Sequence, residues 1–203
     1  MKLGSSDHED DALIEGLLEG APWASELLYH RLSPIIDRTL RRVFPTRRAD
    51  HDDLAQTAFE GILRSVLERR FAAGCSLTTW ASLIASRVAI DALRSRVRER
   101  VIFREGMSSS PDLLAAPEPV PLERQLEARS ELQRLQMLLG SMKPEQSLTV
   151  VMHDLLGHEL AEIANFTGVS AAAAQSRLVR GRKELMRQRA ARRSMESQPD
   201  DQG

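Results

Sequence analysis

Apolar positions recur at three- and four-residue intervals along most of the chain, the spacing of helices that bury one face. Leu13, Ile14, Leu17 and Leu18 predict a first helix. After the break at Ala21-Pro22-Trp23, the run Leu27, Leu28, Leu32, Ile35, Ile36, Leu40 and Val43 predicts a second, ending near Pro45. Asp50 or Asp52 can cap a third, whose stripe is Leu54, Ala58, Phe59, Ile62, Leu63, Val66 and Leu67. Its other faces carry Asp53, Gln56, Glu60 and Arg64. Past Ala72-Ala73-Gly74, Ser76 or Thr78 can start a fourth with Trp80, Leu83, Ile84, Val88 and Leu93 inward, running into arginines. Leu122 to Leu139 predicts a fifth helix interrupted at Gly140, and Ser141 to Pro144 opens another through Leu156. With no strand-like alternation of useful length and no solenoid-length repeat, the expected class is all-α.

Gly157 to Leu185 is the most informative stretch, because two helical patterns flank a tight turn at Thr167-Gly168-Val169. Leu160, Ile163 and Ala164 form the inner stripe of the first, and Gly168 can take the positive φ that the turn needs. Val169 plugs the corner, Ser170 caps the second helix, and Ala174, Leu178 and Leu185 face inward. That is a helix-turn-helix pattern, and a second helix held in this way can enter a DNA major groove. An ordinary helical hairpin fits the same segment; the arginines weigh against it.

Between these halves, residues 105–121 combine three consecutive serines with Pro111, Pro117, Pro119 and Pro121, which denies helix and central strand alike. The expected organisation is two small helical domains, 10–104 and 122–190, joined by a flexible linker at 105–121 and followed by a polar tail at 191–203.

Composition narrows the class. At 42% hydrophobic, 28% charged and 4% aromatic, the 203 residues are those of a folded, helix-rich protein. No apolar run approaches the roughly 20 residues of a membrane-spanning helix, and Met1 to Asp11 is acidic, so a cytoplasmic chain outside the membrane is expected. The single Cys75 excludes an internal disulfide framework and a multi-cysteine zinc site. Net charge is −1, but it is segregated: seven acids stand in 1–26, six arginines in 87–104, and eight bases against Glu184 alone in 175–193. Two separate positive stretches are the footprint of phosphate contact.

LAEIANFTGVS followed by AQSRLVRGRKEL resembles the LxEIAxxLGVSxxTVKSRLxRARxxL motif of bacterial sigma factors of the extracytoplasmic function group, in the sigma-70 family. MKPEQSLTVVMHDLLG is similar to the LPxxxRxVxxLxxxxG helix that precedes it there. DHDDLAQTAFEGILRSV resembles the family's DAEDLVQETFLRAW segment, and SLTTWASLIASRVAIDALRSRVR its SLRAWLxxIARNLALDxLRRxxR. The likeness spans roughly residues 10 to 187.

The resemblance implies a promoter-specificity subunit without covalent chemistry or cofactor, whose first domain docks on core RNA polymerase and opens the minus-ten region while the second reads the minus-thirty-five element. By position, Asp53, Gln56, Glu60 and Arg64 would meet the clamp coiled coil of the polymerase's largest subunit. The loop Arg69 to Leu77, with Arg69 and Arg70, would capture a flipped minus-ten base, and Arg87, Arg94, Arg96 and Arg98 would contact the melted strand or its phosphates. Trp80 reads as core, not as a stacking platform, and Asp91 as orienting its helix. Ser170, Gln175, Ser176, Arg177, Arg180 and Lys183 would meet promoter DNA in the major groove. The family also implies an anti-sigma factor as a partner, and no small-molecule substrate.

The sequence departs from the family at Ala171, Ala172 and Ala173, where polar residues are common, at Gln175 for a usual lysine, at Arg87 for asparagine and at Gly181 for alanine. Base readout is therefore expected to lean on thymine methyls and DNA shape. Rival readings are weaker. His158-Glu159-Leu160-Ala161-Glu162 lacks the second histidine of a zinc-hydrolase HExxH, and the acidic clusters at Asp7 to Asp11 and Asp50 to Asp53 suit helix starts without any metal. Cys75 has no resolving cysteine for a redox switch, only Arg69 and Arg70 nearby. The strongest rival is a helix-turn-helix regulator that binds duplex DNA without polymerase.

Overall fold

The structure, a computed structural model, describes residues 5–46, 48–71, 75–104 and 122–196, so the expected linker at 105–121 lies outside the described residues. Eight α-helices follow one another among them: α1 (Ser5–Leu18), α2 (Pro22–Val43), α3 (His51–Leu67), α4 (Leu77–Arg104), α5 (Leu122–Ser141), α6 (Pro144–Val150), α7 (Leu160–Thr167) and α8 (Ala171–Glu196). The all-α expectation holds.

The α2 helix shows how the pattern becomes structure. Leu28, Leu32, Ile36 and Leu40 stand four residues apart and are buried to within 1% exposure, each burial contributing about 1.5–3 kcal/mol. The sequence suggested a break at Ala21-Pro22-Trp23, yet Pro22 opens the helix, since a residue at the first helical position needs no N–H partner. Pro34 is carried on the exposed side. α3 and α4 complete the three-helix core with Ala58, Ile62 and Val66, and with Leu83, Ala89, Ile90 and Leu93. Leu67, expected inside, is 50% exposed as the last residue of α3. Asp50 holds the N-cap position of α3 but makes no capping bond; its carboxylate accepts from Arg48 Nε at 2.6 Å. Ser76 does cap α4, accepting the Thr79 N–H at 3.1 Å.

The carboxy-terminal helices pack on this bundle through one continuous apolar cluster, to which Leu139, Met142, Leu148, Val151 and Met152 belong. The α5 helix lies along α4 and runs straight through Gly140 instead of stopping there. A Cβ at Gly140 would stand 2.7 Å from the Leu93 carbonyl oxygen and 2.7 Å from Val97 Cγ2, so the glycine is what lets the two helices touch. Gln136 Nε2, also on α5, donates to the Val43 carbonyl at the end of α2, at 2.9 Å. The helix expected to reach Leu156 ends as α6 and widens into a π-helical turn over Val151–Leu155. The last helix extends to Glu196, inside the stretch expected as tail.

Candidate nucleic-acid interface

The turn between α7 and α8 is built locally. Gly168 takes φ +66°, a left-handed conformation that only glycine adopts without penalty. The Val169 N–H then donates to the Ala164 carbonyl at 3.0 Å, and Ser170 Oγ accepts the Ala173 N–H at 3.2 Å, capping α8. Ile163 and Ala164 are buried with Ala174 and Leu178, which fixes the crossing of the two helices. Gly181, flagged as an alanine position in the family, sits where a Cβ would press to 2.6 Å on Val150 Cγ2. The helix-propensity loss of about 1 kcal/mol is thus set against closer packing of α6 on α8.

With that face fixed, Ser170, Gln175, Ser176, Arg180 and Lys183 are exposed and Arg177 is half-buried. The side chains of Gln175, Ser176, Arg177, Arg180 and Lys183 make no hydrogen bond or ion pair with described residues. Arg182, which the sequence did not single out, is engaged instead: it forms an ion pair with Asp154 on the π-helical turn and holds that carboxyl below its usual range. Three free cations and two free hydrogen-bonding side chains on a helix-turn-helix can meet phosphates and base edges.

On α3, Asp53, Gln56, Glu60 and Arg64 form one exposed stripe, with Gln56 Nε2 donating to Glu60 Oε1 at 2.9 Å. A mixed-charge helix face of this kind suits a polar protein interface. The arginines assigned to melted DNA do not form one surface. Arg69, exposed, takes φ +55°, and Arg70 pairs with Glu68 at 3.0 Å. Arg87 and Arg98 are exposed and share one side of α4. Arg94, on that side too, is committed to the Met142 carbonyl at 3.0 Å, closing the seam between the halves. Arg96 lies on the opposite side, near Arg48 and Asp50. Residues 72–74 of the expected base-capturing loop lie outside the described residues.

Sequence reasoning missed an open groove of about 610 Å³ between α3, α4 and α7. Glu60, Arg64, Arg87 and Asp91 border it, over a floor that includes Trp80 and Phe166. Trp80 is core, as expected: it is 7% exposed, its indole N–H donates to Ser65 Oγ at 2.8 Å, and its ring meets Phe166 edge-on at 4.9 Å. No local pattern pairs residues 80 and 166; only the packing of the halves does.

Basic side chains without a partner among the described residues, on the second helix of a helix-turn-helix carried by a bundle that exposes a mixed-charge stripe, define the class as helix-turn-helix proteins. Residues 28–99 match Sigma-70 region 2, and residues 132–185 match Sigma-70, region 4. The chain belongs to the sigma-70 family, in its extracytoplasmic function group. It is 31% identical over 151 residues to the ECF RNA polymerase sigma factor SigE of Mycolicibacterium smegmatis, covering 73% of this chain and 56% of that protein. It is 28% identical over 109 residues to the ECF RNA polymerase sigma factor SigJ of Mycobacterium tuberculosis, covering 54% of this chain and 35% of that one. The chain thus matches about half or less of the length of these relatives. Among solved structures, CnrH in complex with the cytosolic domain of CnrY shares the fold, with a TM-score of 0.51, 20% identity, and coverage of 90% of this chain and 97% of that one. No helix among the described residues is long and apolar enough to cross a membrane.

Proposed function

We propose that this chain is an alternative sigma factor that binds core RNA polymerase and directs promoter-specific initiation in the cytoplasm, without catalysing a reaction itself. The observation that carries this reading is the pairing, in one molecule, of the unpartnered polar face of α8 with the exposed α3 stripe of Asp53, Gln56, Glu60 and Arg64. Residues 10–104 dock on polymerase through that stripe and engage the minus-ten element, where Arg69, Arg70, Arg87, Arg96 and Arg98 are exposed, Arg96 on the side of α4 opposite Arg87 and Arg98. Residues 122–190 read the minus-thirty-five element through Gln175, Ser176, Arg177, Arg180 and Lys183.

An anti-sigma protein is the expected antagonist. The groove between α3, α4 and α7 adjoins Glu60 and Arg64 of the docking stripe, so a segment seated there would contend with polymerase for the same residues. CnrH, which shares the fold, has been captured with the cytosolic domain of CnrY.

Mixing the purified chain with core RNA polymerase tests the reading: co-elution is expected, together with new discrete start sites in run-off transcription from fragmented genomic DNA. Duplex binding with a steep salt slope and no core association would instead identify a regulator that works without polymerase.

A further inference from the structure

On the outward face of α8, Val179 is 52% exposed, whereas its neighbour Leu178 is 1% exposed. A single exposed valine is ordinary on a protein surface; its position is not. At 100° per residue, Val179 shares a face with Gln175 one turn before it and Lys183 one turn after it, flanked by Ser176 and Arg180. It is thus the apolar centre of a polar face whose side chains have no partner among the described residues. The first turn of α8 offers only Ala171, Ala172 and Ala173, none of which can hydrogen-bond through its side chain. Besides the long cations Arg177, Arg180 and Lys183, direct readout by this helix therefore has two uncharged polar side chains, Gln175 and Ser176, and, beyond the alanine methyls of the first turn, one isopropyl group.

The floor of the major groove carries one apolar feature, the C5-methyl of thymine. We propose that Val179 is a specificity-determining residue that packs on a thymine methyl in the minus-thirty-five element. The inference rests on the sigma-factor reading above. Val179 supplies the discrimination by shape and exclusion of water, Gln175 and Ser176 fix the neighbouring base edges, and Arg180 and Lys183 hold the phosphates on either side. Met186, 72% exposed, is seven residues further along, roughly 10 Å down the helix axis, and is left outside the proposed contact.

The test uses holoenzyme reconstituted with the full chain and a promoter library randomised across the minus-thirty-five element. A thymine preference is expected at one position, and replacing that thymine by deoxyuridine, which lacks only the methyl, should lower initiation about four-fold, equivalent to about 0.8 kcal/mol for a buried methylene-sized group. Val179→Ala should initiate at the reduced level on thymine and ignore the deoxyuridine exchange, while Val179→Thr, which keeps one methyl, should recover part of the response. Initiation with wild-type protein that is indifferent to the methyl, or a Val179→Ala protein that keeps its full sensitivity, overturns this inference alone. Failure to initiate anywhere in the library, or to associate with core enzyme, overturns the sigma-factor reading and this inference with it.

Discussion

His158 Nε2 lies 2.9 Å from the Ser82 hydroxyl, 76 residues earlier, and Ser82 Oγ lies 3.3 Å from Thr39 Oγ1. This hydrogen-bond chain ties α2 and α4 to the segment that leads into α7. Burial pushes the His158 imidazole below its ordinary value of 6.5, aided by the charge of Arg42 and opposed by the Glu162 carboxylate, 3.7 Å from Nδ1. The unfolded histidine therefore takes up its proton at a higher pH than the folded one. Its contribution is complete above about pH 6.5 and is lost as pH falls below that value. Thermal melts at successive pH values should show a steeper fall below pH 6.5 for wild type than for His158→Gln; parallel curves would refute the assignment.

Gly140 marks a close approach between α5 and α4, 2.7 Å from the Leu93 carbonyl oxygen to a would-be Cβ. Gly140→Leu must push the helices apart, at an overpacking cost of about 1–3 kcal/mol. The bond from Arg94 to Met142 lies on the same seam, the bond from Gln136 holds α5 to Val43 at the end of α2, and both should weaken as α5 shifts. Hydrogen exchange is the direct measurement: α5 should lose protection while the cores of α2 and α3 keep theirs. Unchanged protection in α5 would contradict the packing.

Asp10, 4% exposed, pairs with Arg31 at 2.6 Å and accepts the Leu77 N–H at 2.9 Å, pinning the start of α4 to α1 and α2. Asp10→Ala leaves a guanidinium and an amide without that acceptor and should cost about 3 kcal/mol. That corresponds to a Tm lower by about 6–12 °C for a chain of this length. Asp10→Asn keeps an acceptor for the Leu77 amide and should lose less. Equal melting of all three proteins would mean that the pair contributes nothing net.

Burial, with a further push from the Glu162 carboxylate, raises the Cys75 thiol to about 11. The thiolate is the reactive form, so alkylation by iodoacetamide near neutral pH should be far slower than that of free cysteine and should accelerate as pH approaches 11. Cys75→Ser should leave any response to oxidant unchanged. Labelling at the rate of a free thiol at neutral pH would reverse this expectation and revive a redox role.

Much of the fold is legible in the sequence because its signals are local. The four-residue spacing of Leu28, Leu32, Ile36 and Leu40 needs no partner to announce a buried stripe. Ser76, Gly168 and Ser170 end or begin helices through bonds reaching only a few residues. Charged side chains are harder to read, because a basic residue spends its charge on whatever lies nearest. Arg94 and Arg98 look alike in the sequence, yet one donates to a carbonyl 48 residues away and the other is exposed. Asp50 stands at a cap position and turns to Arg48.

By itself, the sequence determined an all-α chain, the order of its helices, the helix-turn-helix and the family to which it belongs, since each follows from periodicity, turn chemistry or short motifs. Tertiary structure alone decided how the halves meet. It placed Gly140 on the Leu93 carbonyl, Phe166 against Trp80 and His158 on Ser82, and it left Val179 uncovered at the centre of a polar face. Contacts between residues 47 to 86 positions apart depend on which buried faces fit together, and helical periodicity names a buried face without naming what covers it.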